Sequence, residues 1–409
     1  MLRGTHLRGA LLFWAPLAGL GALLYGGLLR LSGGLPPDLR EGSNDLATYR
    51  DAGEALLRGE LPYRDFFLEY PPGSLPAFVP PALLSETRSG FISLFSSEMA
   101  LVLVAALVLV AMTARRLGGQ AAWPVPAATF AAGALLLYPV AVTRYDAVVA
   151  LALAAAAFGA ALGGRHVFLA YASLGFGTAA KLVPALAVLP LVFASGKAGR
   201  GPGVFFAVAG LFFVPALVFG GGGFIGSFAY HAERGLQVES AAASVLMVLG
   251  RVDGVAFEFG AFEARGPGTG LAAGLSLPVT AVLLGVTGLA MLRRHRQQRL
   301  EAAQFPRYAA ALILAFMLGS KVLSPQYEIW LLPLAPLCAG GPAGAGLCLL
   351  FLASCLATTQ VFPVHYADLL NVRAPGPEIL LLRNALLAAL WALLLLLPHG
   401  ARPERTSPS

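Results

Sequence analysis

The sequence predicts an all-α polytopic membrane fold with about twelve transmembrane helices (roughly ten to thirteen). Three observations predict it. Of 409 residues, 57% are hydrophobic and only 12% are charged, about half the charge of a soluble domain. Mean hydropathy is +0.75. Apolar stretches of about 17–25 residues, long enough to cross a bilayer as helices, recur along the chain with short polar links between them. A spanning segment must satisfy its own backbone hydrogen bonds, so helix is the default. The alternating segments of about ten residues that a membrane barrel needs are missing. The chain therefore reads as a single integral membrane domain over 1–409, without an internal repeat or a linker to a soluble domain.

The first run, MLRGTHLRGALLFWAPLAGLGALLYGGLL, is longer in its apolar part than a signal-peptide core and lacks a clear small-residue cleavage site. It reads as a retained span, 10–31, with Arg3 and Arg8 in the cytoplasm. Further spans are expected near 91–114, 121–142, 147–163, 167–180, 182–194, 203–220, 271–292, 308–320, 328–341, 344–358 and 379–397. The short pair 167–180 and 182–194 is either a hairpin of short helices or one long kinked span.

Charge orients these spans. The links assigned to the cytoplasm hold Arg115, Arg116, Arg165, Lys197, Arg200, the run RRHRQQR (293–299), Arg307, Arg402 and Arg405. With Arg3 and Arg8 they carry half of the 28 Lys and Arg residues but only two of the 21 acids, Glu301 and Glu404. Excess Lys and Arg in short loops marks the cytoplasmic side. Three large loops, 32–90, 221–270 and 359–378, then face outside. A bacterial plasma membrane is the expected location, with the active site on its outer face.

Composition also excludes some classes. The net charge of +7 is scattered over loops, with no basic face interleaved with aromatics, so no nucleic-acid partner is expected. Cys338, Cys348 and Cys355 fall in late apolar segments and read as packing residues. GFGTAAK (175–181) is not a phosphate-binding Walker loop, no GxSxG nucleophile elbow occurs, and no His or Cys cluster has metal spacing. No metal or cofactor is expected.

The first outer loop is the most charged part of the chain. Ser43 and Asn44 are good helix caps. In the stretch that follows, Leu46, Tyr49, Gly53, Leu56 and Leu57 fall roughly on one face. The spacing predicts an amphipathic helix on the outer membrane surface, then YPP (70–72) and a second short helix near 75–85. Asp45 in the first turn either complements the helix macrodipole or acts chemically. Asp51 and Glu54 read as a solvated face.

Ionisable residues near membrane depth are costly and are functional candidates by default. Arg144 and Asp146, in VTRYDAVV, lie at the outer end of the third and fourth spans. Lys181, in TAAKLVP, divides the two short helices. Lys321, in GSKVLSPQYEIWLLPL, sits at an outer turn. The competing readings are a local Arg144–Asp146 ion pair and lysines that snorkel to headgroups. Their shared side favours function, because a carboxylate base facing several cations suits a reaction in which a hydroxyl loses a proton and an anionic phosphate leaves. His231 and His365 lie in outer loops and are candidate phosphate contacts.

Taken in order, NDLATYRDAGEALLRGELPY, FFLEYPPG, TRYDAVVALAL, KLVP with VLPL, RGLQVES, KVLSPQYEIWLLPL, TTQVFP and LRNALL resemble the C-type superfamily of membrane glycosyltransferases. The resemblance is to glycosyltransferase family 87, which includes polyprenol-phosphate-mannose-dependent α-mannosyltransferases. It implies a multi-helix fold with juxtamembrane helices in the first outer loop. It also implies a polyprenyl-phosphate-linked sugar donor, a glycan or glycolipid acceptor, contact with membrane lipids, and an aspartate general base matching Asp45. Transfer of a hexose, with mannose favoured and inversion at the anomeric carbon, follows from the same resemblance. Gln237, Glu239 and Ser240 depart from the mannosyltransferase pattern. Lys181, Lys321 and Arg144 are expected to hold the donor phosphate, and Tyr70, Gln326 and Tyr327 to shape the sugar pocket, with Asp146, His231 and Glu239 as further substrate-binding candidates. The alternative class is a transporter or lipid flippase without covalent chemistry. It would place ionisable residues near the bilayer midplane, often in inverted repeats, whereas here mid-span charge is sparse.

Overall fold

The structure, a computed structural model, describes residues 2–35, 44–196 and 200–397. Ser43, Lys197, Arg402 and Arg405 lie outside the described residues, as do the side chains of Arg3, Arg8 and Asn44.

Among the described residues the regular secondary structure is helical except for one hairpin. In order come α1 (Leu2–Gly33), α2 (Asn44–Leu57), a tight turn Pro72–Ala77, α3 (Val79–Leu83), α4 (Arg88–Gly118), α5 (Pro124–Leu136), α6 (Tyr138–Ala141), α7 (Asp146–Leu162) and α8 (Val167–Ala180). There follow α9 (Val188–Ser195), α10 (Arg200–Glu233), α11 (Ala241–Val248), strands β1 (Gly254–Glu258) and β2 (Ala261–Arg265), α12 (Thr269–Gln297), α13 (Phe305–Gly319), α14 (Gly341–Thr359), α15 (Tyr366–Leu370) and α16 (Gly376–Leu396). Among the described residues, seven helices are long and apolar enough to cross a membrane, and α5, α7 and residues 183–195 form shorter apolar helices. The protein is an integral membrane protein.

Composition explains the layering. The Ala-rich α7 packs between α4 and α8. Small residues let these backbones approach: a Cβ on Gly159 would lie 2.8 Å from the Ala170 nitrogen, and one on Gly177 would lie 2.9 Å from the Ala152 Cβ. Close approach through small residues is how helices gain packing energy where no hydrophobic drive exists between them. On the flanks the pattern reverses. Leu211 on α10 and Leu277 on α12 are 72% and 77% exposed, which water would penalise and hydrocarbon would not.

Four expectations are corrected. The segment 328–341 is not an α-helix. Pro325, Pro333 and Pro336 each remove a backbone donor, and the segment runs as short 3₁₀ turns, Pro325–Leu331 and Pro336–Cys338. The segment expected to span 203–220 continues as α10 to Glu233, turning at Gly221, where φ is 49°. The apolar face of α2 contains Leu46, Tyr49, Ala52, Gly53 and Ala55, whereas Leu57 is exposed. That face packs on protein: the Tyr49 ring stacks on Phe78 at 4.5 Å and meets Tyr70 and Tyr145 edge-on. Finally, the second loop folds partly as the β1–β2 hairpin. Its two-residue turn, Phe259–Gly260, has positive φ at both positions, the geometry that matches the twist of paired strands.

Candidate active site

Several parts of the chain meet at one cavity of about 620 Å³. The first loop brings Asp45, Glu69 and Tyr70. The turn before α7 brings Arg144 and Tyr145, and the break after α8 brings Lys181. The end of α10 and the second loop bring His231, Arg234, Gln237 and Glu239, and the segment after α13 brings Lys321, Gln326, Tyr327 and Trp330.

Asp45 stands in the first turn of α2 and is gripped at both oxygens. Tyr70 donates from its hydroxyl to Oδ1 at 2.7 Å, and Arg144 Nη2 meets Oδ2 at 2.8 Å. Burial above all holds the Tyr70 phenol well above its usual range, so it remains a donor. Each carboxylate oxygen keeps a second lone pair, and the side chain is about one-third exposed toward the cavity. A substrate hydroxyl therefore has an acceptor to approach.

The helix break at Lys181 has a local cause. Its extended φ and ψ end α8, and Pro184 cannot continue the helical ladder. The ammonium then meets Asp146 Oδ1 at 2.8 Å and lies 5.1–5.4 Å from the ring centres of Tyr145, Tyr327 and Trp330. Trp330 donates from Nε1 to the same Oδ1 at 2.6 Å. Three π-faces and one carboxylate hold this cation in place.

Two further cations complete the wall. Arg234 pairs with Glu69 at 2.9 Å, and His231 Nε2 lies 2.8 Å from the Glu69 carbonyl oxygen. Burial raises the Glu69 carboxyl above its ordinary range and the Arg234 charge pulls it back. Lys321 donates to the carbonyls of Ala232, at 2.7 Å, and Arg234. It thus ties the end of α10 to the segment after α13, and burial lowers its ammonium. Gln237 is spent on structure, donating to Ser324 Oγ at 2.8 Å and accepting from the Leu323 amide at 2.8 Å.

Nine of the residues expected from the sequence line the cavity: Asp45, Tyr70, Arg144, Lys181, His231, Glu239, Lys321, Gln326 and Tyr327. Asp146 does not. It is buried behind Lys181, and Arg144 turns away from it toward Asp45, so a local Arg144–Asp146 pair is replaced by two longer-range ones. His365 pairs with Asp368 at 2.9 Å and is not among the lining residues. From sequence Glu69, next to Tyr70, is ambiguous, and Arg234, Tyr145 and Trp330 do not stand out. Glu69 and Arg234 stood in quoted motifs, but only the fold reveals their pairing.

The sequence profile of glycosyltransferase family 87 matches residues 67–325, well over half of the 409-residue chain, and the chain belongs to that family. Among solved structures, the fold is similar to ArnT from Cupriavidus metallidurans bound to undecaprenyl phosphate, at a TM-score of 0.50 and 15% identity. The apo form of the same protein gives 0.50 and 14%, and each match covers 94% of this chain and 78% of that one. A search of curated protein sequences gave no match.

Proposed function

We propose that this glycosyltransferase moves a hexose, mannose in the first instance, from a polyprenyl-phosphate-sugar to a hydroxyl of a lipid-linked or cell-envelope glycan on the outer face of a bacterial plasma membrane. The observation that carries the reading is the convergence of one doubly held carboxylate and four cations, Arg144, Lys181, Arg234 and Lys321, on a single cavity in a membrane protein of this family. Undecaprenyl phosphate bound to the structurally similar ArnT adds support for a polyprenyl phosphate here.

The chemistry follows from those groups. Asp45 accepts the proton of the acceptor hydroxyl as its oxygen attacks the anomeric carbon. The bond from that carbon to the phosphate oxygen breaks on the opposite face, which inverts the centre. The leaving polyprenyl phosphate gains a negative charge, and Lys and Arg near it stabilise that charge more in the transition state than in the ground state. The basic links of the opposite side, among them Arg115, Arg116, Arg165 and the run 293–299, fit an orientation with the cavity outside.

Membranes carrying Asp45→Asn, assayed with labelled polyprenyl-phosphate-mannose, should lose transfer while protein level and donor binding stay near normal. Normal turnover by this variant would remove Asp45 as base. Counterflow of labelled lipid in vesicles without any glycosylated product would instead favour the transporter reading. Mass spectrometry of envelope glycans from cells lacking the protein should find a species one sugar short.

A further inference from the structure

Glu239 has no role in the chemistry just described, and its surroundings are unusual. It lies in the loop between α10 and α11, lines the cavity, and is 3% exposed. Tyr366 on α15 donates to its Oε1 at 3.0 Å. Its Oε2 is buried and has no partner. Its own backbone carbonyl accepts from Arg383 Nη2 on α16 at 2.8 Å, and Ser240, the next residue, caps α11. The backbone at Glu239 is therefore fixed, and only one carboxyl oxygen is left without a bond. A buried polar atom in that state is rare in folded proteins and asks for a partner.

The charge count nearby decides which form the carboxyl takes. Arg383 is the cation that Glu239 feels, and Arg383 feels Glu328 as well. Among the described residues, Tyr366 and Tyr327 are the other titratable groups that interact with Glu239. One guanidinium thus serves two buried carboxyls. Burial raises Glu239 to about 7, so the neutral acid is well populated near neutrality. A neutral acid has one O–H to donate.

We infer that Glu239, with Tyr366 on its other oxygen, forms a subsite for a sugar hydroxyl, to which the carboxyl donates from Oε2. The inference rests on the reading of the cavity as a sugar-transfer site and names the group that recognises a sugar there. A sugar that fills the cavity displaces water, which raises the cost of charge on the carboxyl. The form that binds is therefore the protonated one. Donor and acceptor rings present the same hydroxyl chemistry, and the test separates them.

Detergent-purified protein is titrated between pH 6 and pH 8.5 with undecaprenyl-phosphate-mannose, with undecaprenyl phosphate lacking the sugar, and with methyl α-mannoside as an acceptor-like ring. The mannolipid is a phosphodiester of constant charge, so its pH dependence reports on the protein. Wild type should bind a mannose-bearing ligand about tenfold more weakly for each pH unit above about 7. Glu239→Gln, which keeps a donor at every pH, should bind that ligand with a flat profile. Glu239→Ala should lose the affinity added by the sugar, while the bare lipid phosphate binds all three proteins alike and shows them to be folded. Loss confined to the mannolipid assigns the hydroxyl to the donor, and loss confined to methyl mannoside assigns it to the acceptor. Glu239→Ala with both affinities intact, or the same pH slope in wild type and Glu239→Gln, overturns the subsite and leaves the transfer reading standing. Wild type that binds none of the three ligands overturns both.

Discussion

Arg144 Nη2 and Asp45 Oδ2 lie 2.8 Å apart, joining the turn before α7 to the first turn of α2. Arg144 also donates from Nη1 to the Thr143 carbonyl at 3.0 Å. A planar fork can serve both partners at once, whereas a lysine is a single point charge.

Arg144→Ala should therefore lower transfer about a hundredfold or more, the loss typical of removing one electrostatic group at a reacting centre. Arg144→Lys should fall between the two. Initial rates in membrane vesicles, normalised to protein level, test this. A full rate in the alanine variant would detach Arg144 from the reaction.

Tyr70→Phe removes one hydroxyl and keeps the ring in its aromatic cluster. The bond it loses is to a carboxylate, worth about 1.5–3 kcal/mol, so a fall of roughly tenfold or more in turnover is expected. An unfolding temperature that drops with unchanged turnover would make Tyr70 a packing residue only.

Lys181 and Asp146 form a pair with exposures of 19% and 1%. Lys181→Met strands a buried carboxylate, which costs about 3 kcal/mol. In the double variant with Asp146→Asn no such charge remains, so the combined loss should be smaller than the sum of the single losses by about 1 kcal/mol or more. Denaturant unfolding in micelles measures the cycle. Strict additivity would mean that the two side chains do not communicate.

Glu239 predicts a pH dependence of stability. Its folded value of about 7 lies above the ordinary 4.5, so the folded state favours the protonated acid. That contribution is whole below about pH 4.5, falls as pH rises toward 7, and is constant above. Glu239→Gln cannot lose a proton, so its stability relative to wild type should improve across that window by about 3 kcal/mol. Thermal unfolding at pH 5 and pH 8 compares them, and a difference that ignores pH would contradict the buried-acid assignment.

Gly73→Ala tests how the first loop is seated. A Cβ at Gly73 would lie 2.4 Å from the Ala179 carbonyl carbon and 2.6 Å from the Ala180 nitrogen, backbone that cannot move without shifting Lys181. About 1–3 kcal/mol of stability should be lost to overpacking, together with most of the transfer activity. An alanine variant as stable and active as wild type would show the contact to be slack.

Much of this was legible in the sequence because it depends on local pattern. Apolar length and sparse charge gave the helical membrane class, and the position of Asp45 in a first helical turn and of Lys181 between short helices made both candidates. The unread part is long-range. Nothing in TRYD tells that Arg144 and Asp146 face opposite ways, since that depends on where α2 and the break after α8 arrive in space. Trp330 looked like one more apolar residue in a span until prolines broke that span and turned its Nε1 onto Asp146. The hairpin at 254–265 was hidden because its turn, Phe259–Gly260, puts a bulky residue where Asn or Asp is the usual signal.

Each cation on the cavity wall already has a companion: Arg144 has Asp45, Lys181 has Asp146, Arg234 has Glu69, and Lys321 has two backbone carbonyls. A visiting anion must compete with these attachments instead of filling a vacant socket. Inorganic phosphate, with charge alone to offer, should be a poor competitor, while a lipid-borne phosphate adds the affinity of its hydrocarbon tail for the bilayer. Prior neutralisation would thus serve as a filter that turns away small free ions and admits the same headgroup only when it arrives on a membrane anchor.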